Sequence, residues 1–360
     1  MKIGIIGCGK ISGAYFSGAQ RASNLEIKAC ADLNLAVAQE KAEEYGCAAV
    51  TVDALLADPE IELAVNLTIP AAHLEVGLKI LRAGKHLYAE KPLALNMDQG
   101  RRLIDFAGEQ GLRVGSAPDT FLFKGGQTGR KVLDDGWIGR VTSGTALMGN
   151  FGHESWHPNP GFYYLPGGGP ILDMGPYYIT ALVNLLGPVK AVMARTGRGL
   201  DQRVATSEAR FGEVFPVEVS THGTGILEFA GGVLVTAIFS FDTPRHQRPN
   251  LTLHGTQGSM EVGNPNPFAS AVEVFRCADG ERRAMPFTHA DNQRMYGVVD
   301  MVDAIAHDRP HRASGELALH VLEVMTAFEK SSASGQAVAL ETTVARPAPL
   351  PAGLMPWQVG

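Results

Sequence analysis

Two patterns of apolar and polar residues alternate along residues 1–120. Short runs rich in Ile, Val, Leu and Ala predict buried strands, and the stretches between them have the apolar spacing of helices. The predicted strands cover residues 2–6, 26–31, 61–67, 86–89 and 112–116, and the predicted helices include residues 35–45, 71–83 and 97–110. Strands that alternate with helices in this way are typical of a doubly wound parallel sheet of the α/β class.

The pattern changes after residue 120. Helices are predicted over residues 123–136 and 173–186, a strand over residues 141–148, and strands dominate from residue 189 onward. Gly231-Gly232 and Asp279-Gly280 are hairpin turn signals, so the second half predicts a mostly antiparallel sheet. Its predicted strands cover residues 189–196, 218–222, 224–229, 233–241, 250–254, 259–262, 271–276 and 282–287. Helices are expected to cover only one face of such a sheet. The other face is then either solvated or buried in a homo-oligomer.

A length of 360 residues suggests about two domains. The change of pattern places their expected boundary after residue 120. The first domain then covers residues 1–120. The second covers residues 121–360, including two closing helices within residues 293–332 and an extended tail at 346–360.

The composition narrows the choice of partners and location. The net charge of −6 argues against a general nucleic-acid or anionic-membrane surface. No apolar run approaches the length of a membrane span, and the N-terminus lacks a signal-peptide pattern. The four cysteines form no CxxC pair. We therefore expect a cytoplasmic protein with reduced thiols that binds neither nucleic acid nor membrane.

The first predicted strand runs into a glycine turn, Gly-Cys-Gly-Lys-Ile-Ser-Gly at residues 7–13, and a helix follows. In this context the first glycine permits a tight turn, and the second lets the backbone approach a pyrophosphate at the helix N-terminus. Ser12 stands where Gly or Ala is usual, and its small side chain still permits close packing of helix on strand. The turn predicts dinucleotide contacts from Gly7, Gly9, Lys10, Ile11 and Ser12.

Asp32 ends the second predicted strand, about twenty residues beyond the glycine turn, where a carboxylate binds the ribose hydroxyls of a dinucleotide. A carboxylate there would repel a 2′-phosphate, and the following Leu33-Asn34 offers no arginine to accept one. This indicates NAD as the cofactor in preference to NADP. Asp32 could also, or instead, be the N-cap of the helix over residues 35–45.

Further side chains follow strands that end at the same edge of the predicted sheet. Lys91 follows the short strand over residues 86–89, and Pro92 restricts its backbone, which suggests a lysine held rigidly at a cofactor cleft. A surface Lys-Pro turn is the alternative. His73 lies beside this edge and is either a structural, ring-packing histidine or a cofactor contact. The expected cofactor contacts at this edge are Thr68, Pro70, His73, Glu90 and Lys91.

The loop at residues 153–164 crowds two histidines, a glutamate and several aromatic rings between prolines and glycines. Aromatic faces and hydrogen-bonding groups suit sugar recognition, so the loop is predicted to face a substrate. Plain packing is one alternative. A zinc site formed by His153, Glu154 and His157 is another, although the prolines exclude a regular zinc-binding helix, and we expect no metal. The expected substrate contacts are Asp119, His153, Trp156, His157 and Tyr163, whereas Arg245, His246 and Arg248 are either substrate-facing or solvated.

Three motifs in this order resemble those of the Gfo/Idh/MocA family of nicotinamide-dependent oxidoreductases. They are the turn at residues 7–12, Glu-Lys-Pro at 90–92, and Gly-Gly-Gly-Pro-Ile-Leu-Asp-Met-Gly-Pro-Tyr at 167–177. The resemblance implies an N-terminal Rossmann domain and a C-terminal α/β domain with a large open, mostly antiparallel sheet. It also implies a homodimer or homotetramer formed through that sheet. Family substrates are mostly sugars, polyols, inositols or their derivatives.

The resemblance implies Lys91, Asp173 and Tyr177 as the catalytic residues. Many members have His where Tyr177 stands, so the departure affects the identity of the proton carrier. Asp173 and Tyr177, four residues apart, share one face of a predicted helix. Either Tyr177 carries the proton while Lys91 lowers its pKa, or Lys91 carries it, and Asp173 orients the substrate hydroxyl or Lys91.

The expected activity is NAD-dependent hydride transfer at a hydroxyl-bearing carbon of a carbohydrate. Three alternatives remain. One is an NAD-retaining lyase or glycosidase that oxidises a sugar carbon only transiently. The second is a sugar or dinucleotide sensor without catalysis. The third is a zinc hydrolase that uses the histidine-rich loop.

Overall fold

The computed structural model describes residues 1–244, 250–267 and 270–360. By its contacts the chain divides into two compact units. The first unit consists of Met1–Gln127, Phe287–Leu319 and Pro347–Gly360, and the second of Thr128–Pro286 and His320–Arg346. The chain first passes from one unit to the other after Gln127, close to the boundary expected after residue 120. Residues 287–319 and the tail, however, belong to the first unit.

Hydrogen bonds explain why the tail belongs to the first unit. The backbone N–H of Leu350 donates to Oε1 of Gln127 at 2.9 Å, and Nε of Arg312 donates to the carbonyl of Ala348 at 3.0 Å. The backbone N–H of Trp357 donates to Oδ1 of Asn292 at 2.8 Å. Side chains of the first unit thus satisfy polar backbone groups of the tail.

The first 120 residues alternate strands and helices. In chain order the elements are β1 (Lys2–Ile6), α1 (Ser12–Ala19), β2 (Glu26–Ala31), α2 (Leu35–Tyr45), β3 (Ala48–Ala49), α3 (Val52–Ala57), β4 (Leu63–Asn66), α4 (His73–Arg82), β5 (His86–Ala89), α5 (Met97–Glu109) and β6 (Val114–Ser116). The strands form a parallel sheet in the order β3-β2-β1-β4-β5-β6. The order reverses at β1, so the carboxyl ends of β1 and β4 flank the switch point where such sheets bind ligands.

The remaining elements follow in chain order. They are α6 (Lys124–Asp134), β7 (Val141–Gly149), α7 (Pro170–Leu186), β8 (Val189–Gly197), β9 (Gln202–Val204), β10 (Val214–Pro216), β11 (His222–Phe229), β12 (Leu234–Ser240), β13 (Leu251–Gly255), β14 (Gly258–Val262), β15 (Val272–Arg276), β16 (Arg282–Ala284), α8 (Tyr296–Ala306), α9 (Gly315–Ser334) and β17 (Val338–Ala339). Within the described ranges, every helix is too short or too polar to cross a bilayer.

The second unit is built on a large sheet in the order β16-β15-β14-β13-β7-β12-β11-β8-β17, with β9 and β10 paired separately. All its neighbouring strands are antiparallel except β7 and β12. One face packs on helices, where the ring of Phe239 contacts Tyr178 of α7 and Phe328 of α9. The alternate residues on the other face include exposed Met193, Ile226 and Leu234. The predicted α/β class with a parallel and a mostly antiparallel sheet is confirmed.

The structure differs from the sequence prediction in a few segments. The predicted strand over residues 218–222 is a loop up to Thr221, whose hydroxyl donates to Oδ2 of Asp242 at 2.6 Å, and His222 already begins β11. Helix α7 begins three residues earlier than predicted, since Pro170 occupies its first turn, where a missing N–H costs nothing. The sequence pattern missed five short elements, which are β3, α3, β9, β10 and β17.

Gly7 and Gly9 make a matched test of the turn after β1. Gly7 has φ +102°, and a Cβ there would lie 2.7 Å from the carbonyl carbon of Leu67. Gly7→Ala is expected to lower the free energy of unfolding by roughly 1–3 kcal/mol, because neither the strain nor the contact can relax cheaply. A Cβ on Gly9 meets nothing within 4 Å, so Gly9→Ala is expected to stay within about 0.5 kcal/mol of the parent. Urea unfolding measures both, and equal midpoints for the two variants would contradict this account.

Candidate functional site

The glycine turn is fixed on one side and open on the other. The backbone N–H of Gly7 donates to the carbonyl of Ala31 at 2.8 Å, which holds the turn against β2. The side of Gly9 where a Cβ would project has no atom within 4 Å. Fully buried Ser12 donates its hydroxyl to the carbonyl of Gly9 at 2.7 Å. This bond explains why serine is accepted here, and it makes Ser12 a support of the turn, whereas Lys10 and Ile11 are exposed.

Asp32 is tied to the glycine turn rather than to the helix that follows it. Its Oδ2 accepts from the backbone N–H of Cys8 at 2.8 Å, and its Oδ1 accepts from the N–H of Asn34 at 2.9 Å. The N-cap of α2 is Asn34, whose Oδ1 accepts from the N–H of Ala36. The N-cap interpretation of Asp32 is therefore wrong.

These residues fit a dinucleotide. The first turn of α1 has no side-chain cap, since its N-cap residue Ile11 makes no capping bond. A helix start of this kind favours a phosphate, and the open side of Gly9 leaves room for one. The carboxylate of Asp32, half-buried at the end of β2, is placed where a ribose would bind.

The turn after β5 is braced from beneath by a buried carboxylate. Oε1 of Glu90 accepts from the phenol of Tyr15 at 2.7 Å, and its Oε2 accepts from the backbone N–H of Lys91 at 2.9 Å. Both Tyr15 and Glu90 are buried. Burial is the main cause that raises the pKa of the Tyr15 phenol, and the charge of the Glu90 carboxylate raises it further. The Lys91–Pro92 peptide is cis, and the Lys91 side chain is half-buried. Glu90, predicted as a cofactor contact, therefore acts as a link between α1 and the lysine turn.

His73 joins the turns that follow β4 and β5. Its Nδ1 lies 2.7 Å from the carbonyl oxygen of Pro92, and its Nε2 lies 3.0 Å from that of Thr68. The ring is buried, and burial lowers its pKa. This geometry agrees with the structural interpretation of His73 and leaves no exposed edge for a cofactor. Thr68 and Pro70 stay partly exposed, and Oδ1 of Asn66 accepts from both the N–H and the hydroxyl of Thr68.

Asp119 does not offer its carboxylate to a substrate. It is fully buried, accepts from the backbone N–H of Gly297 at 3.1 Å, and lies 3.7 Å from Nη1 of Arg294. Burial raises the pKa of this carboxyl while Arg294 lowers it. The expected substrate contact is corrected: Asp119 anchors the start of α8 within the first unit.

In the second unit, α7 carries two of the three predicted catalytic side chains near its N-terminus, and Lys91 lies in the first unit. Asp173 lies in the first turn, and its Oδ2 is 3.0 Å from Nε2 of His153. Tyr177 follows one turn later and is buried, 6% exposed. The helix start is set by Gly169, whose φ is +89°, and by Pro170. A carboxylate, a phenol and an imidazole are thus gathered within one unit.

The aromatic loop, defined here as residues 151–165, packs its rings edge to face. His153 is buried, with ring centroids 4.1 Å from Tyr163 and 5.2 Å from Trp156. His157 contacts Trp156, Phe162 and Tyr163, while Trp156 is 54% exposed. The loop therefore combines a packed base of His153 and Tyr163 with an exposed aromatic face.

The three side chains of the zinc alternative have separate partners. Glu154 binds Nη1 of Arg203 at 2.9 Å, His153 binds Asp173, and Nδ1 of His157 accepts from the N–H of Asn159. In the part of the chain that the structure describes, no group of three or more His, Cys, Asp or Glu residues could hold a metal ion.

Sequence reasoning missed Arg203. Its side chain is 2% exposed and binds Glu154, Asp242 and the backbone carbonyl of Phe241. It lies on the short strand β9, 49 residues from Glu154, so no local sequence pattern predicts that the two side chains pair. Arg245, His246 and Arg248 lie outside the described residues.

Two family models match most of the chain. The oxidoreductase family with an NAD-binding Rossmann fold matches residues 1–117, and the GFO/IDH/MocA C-terminal domain matches residues 127–261. These ranges contain the glycine turn, the lysine turn and the start of α7.

Relatives match over most of the chain. The chain is 31% identical over 332 residues to dTDP-3,4-didehydro-2,6-dideoxy-alpha-D-glucose 3-reductase of Streptomyces violaceoruber, with 85% of this chain and 94% of the relative covered. It is 26% identical over 355 residues to 1,5-anhydro-D-fructose reductase of Ensifer adhaerens, covering 94% and 98%.

A solved structure of aldose-aldose oxidoreductase from Caulobacter crescentus superposes with a TM-score of 0.80 at 19% identity, covering 94% of this chain and 99% of the other. At this identity the superposition establishes the shared fold. Together with the matched family models and the relatives, it shows that the chain belongs to the Gfo/Idh/MocA family of oxidoreductases.

Proposed function

We propose that the protein is an NAD-dependent dehydrogenase that transfers hydride between the nicotinamide and a hydroxyl-bearing carbon of a sugar, polyol, inositol or related carbohydrate. The observation that carries the proposal is the braced edge of the first unit, where Asp32 is tied to the glycine turn and Glu90 holds the Lys91 turn. Relatives named as reductases of a dTDP-sugar and of anhydrofructose support a carbohydrate substrate.

NAD is the proposed cofactor in preference to NADP. The carboxylate of Asp32 accepts from the N–H of Cys8 in the glycine turn and from the N–H of Asn34, and Leu33 beside it is fully exposed and apolar. Ribose hydroxyls donate hydrogen bonds to such a carboxylate, whereas a 2′-phosphate placed there is repelled.

The nicotinamide, when bound, accepts or donates the hydride; the protein must move the proton of the substrate hydroxyl. We assign that proton to Tyr177, whose phenolate oxygen takes it, and we assign to Lys91 a hydrogen bond to the reacting oxygen. In the reverse assignment Lys91 takes the proton. Asp173 orients the substrate hydroxyl. The exposed aromatic face of Trp156 supports stacking on a sugar ring.

We further propose that the protein is a homodimer or homotetramer formed through its large sheet. The helix-free face carries Met193, Ile226 and Leu234, which are 56%, 45% and 50% exposed and lie on the adjacent strands β8, β11 and β12. Adjacent exposed apolar side chains of this kind favour burial against another surface.

Lys91→Ala is expected to lower turnover by at least about a hundredfold, because it removes a group that the proton transfer requires. The rate of NADH formation is measured with the most active carbohydrate, and NAD affinity is measured separately by fluorescence titration. Lys79→Ala, at an exposed lysine of α4 in the same unit, is the control. Near-normal turnover in Lys91→Ala would contradict the assignment.

Asp32→Asn keeps a hydrogen-bond acceptor and removes the charge. The ratio of kcat/KM for NAD over NADP is expected to fall by at least about tenfold, since like-charge repulsion of the 2′-phosphate is lost. Asp98→Asn, at an exposed position in the first turn of α5, should leave the ratio unchanged. A wild-type enzyme that prefers NADP would contradict the cofactor proposal outright.

Ile226→Lys places a charge in the middle of the helix-free sheet face. Light scattering after size exclusion is expected to give a dimer or tetramer mass for the wild type and a smaller mass for this variant, because a lone buried charge is costly. Met355→Lys, at an exposed tail position, is the control. A wild-type monomer at micromolar concentration would refute the oligomer.

A further inference from the structure

We propose that His153 is a positioning residue that fixes the carboxylate of Asp173 through a hydrogen bond from Nε2. The proposal rests on the proposed function, because it assumes that Asp173 acts on the substrate hydroxyl. It also changes the predicted role of His153, which sequence analysis placed among the substrate contacts.

The contact joins two segments that are distant in the chain. His153 lies in the aromatic loop after β7, and Asp173 lies in the first turn of α7, twenty positions later. Their side chains are 7% and 14% exposed, and the Nε2–Oδ2 distance is 3.0 Å. Hydrogen bonds to an ionised carboxylate in such a sheltered place are stronger than those between neutral groups.

The surroundings define which ring nitrogen carries the proton. An ionised carboxylate only accepts, so Nε2 of His153 must donate. Its Nδ1 is buried and has no hydrogen-bond partner among the described residues. The hydrogen bond to Asp173 therefore places a proton on Nε2.

The imidazole is held on several sides. Its centroid lies 4.1 Å from that of Tyr163, 4.8 Å from Phe241 and 5.2 Å from Trp156. The nearby charges of Glu154 and Arg203 pair with each other, so they fix the loop beside His153 without competing for its ring. A side chain whose rotamer is fixed by packing also fixes the position of the group that it hydrogen-bonds.

Two variants separate the hydrogen bond from the packing. His153→Phe keeps an aromatic ring against Tyr163 and Phe241 but removes the donor, whereas His153→Gln keeps a donor near the position of Nε2. His153→Phe is expected to lower kcat by at least about tenfold, on the scale usual for residues that orient an active group, with KM for NAD unchanged. His153→Gln should recover most of the loss, and urea unfolding checks that both variants fold.

A double-variant comparison tests whether His153 acts through Asp173. If it does, His153→Phe should cost nothing further in an Asp173→Ala background, because the partner is already gone. An equal loss in both backgrounds, or full activity in His153→Phe, would overturn the proposal.

A measurement that needs no substrate keeps the proposal separate from the proposed function. Nitrogen-15 NMR of histidine-labelled protein, with the His153 signals assigned by their loss in His153→Gln, reports which ring nitrogen is protonated. We expect the Nε2–H form in the wild type and faster exchange of that proton in Asp173→Ala. An Nδ1–H form would overturn the pairing. The expected spectrum together with no activity on any carbohydrate would instead refute the proposed function and leave the pairing standing.

Discussion

The candidate cofactor site at the carboxyl ends of the parallel strands depends on the hydrogen bonds of the Glu90 carboxylate. A buried carboxylate needs donors, and Glu90 takes one from Tyr15 of α1 and one from the backbone of Lys91. The helix that follows the glycine turn is thereby joined to the turn that carries the lysine. His73 makes a similar link between the turns after β4 and β5. The edge is a set of turns fixed in position by buried polar side chains, and such a base lets backbone groups meet a ligand without reorganisation.

The second unit uses the same device for its own loop. Arg203 is almost completely buried, and Glu154 and Asp242 neutralise its charge from two segments. Because Glu154 adjoins His153, this cluster fixes the loop at the point where His153 reaches Asp173. Removing one partner of such a cluster would leave a buried charge unpaired, so the loop is held more firmly than its glycines and prolines suggest.

The apolar pattern predicts the parallel sheet closely, because strands buried on both faces read as unbroken apolar runs; β1, β2, β5 and α2 begin and end where expected. Spacing also identifies the glycine turn and Asp32. It does not show which way a side chain points, so Ser12, His73 and Glu90 were expected to contact cofactor although their polar atoms face the protein. The partners of Arg203 and the return of the tail depend on contacts between distant segments, which a local pattern cannot supply.

The most direct test of the central claim is near-ultraviolet absorbance of the wild-type protein with NAD⁺ and a panel of aldoses, polyols, inositols and sugar acids. The account predicts that NADH absorbance grows with one of these substrate classes and not with the others. No growth with any of them, from protein that binds NAD and cleaves a glycoside, would contradict net dehydrogenase activity and favour the NAD-retaining lyase or glycosidase. No growth and no NAD binding would contradict the cofactor site itself.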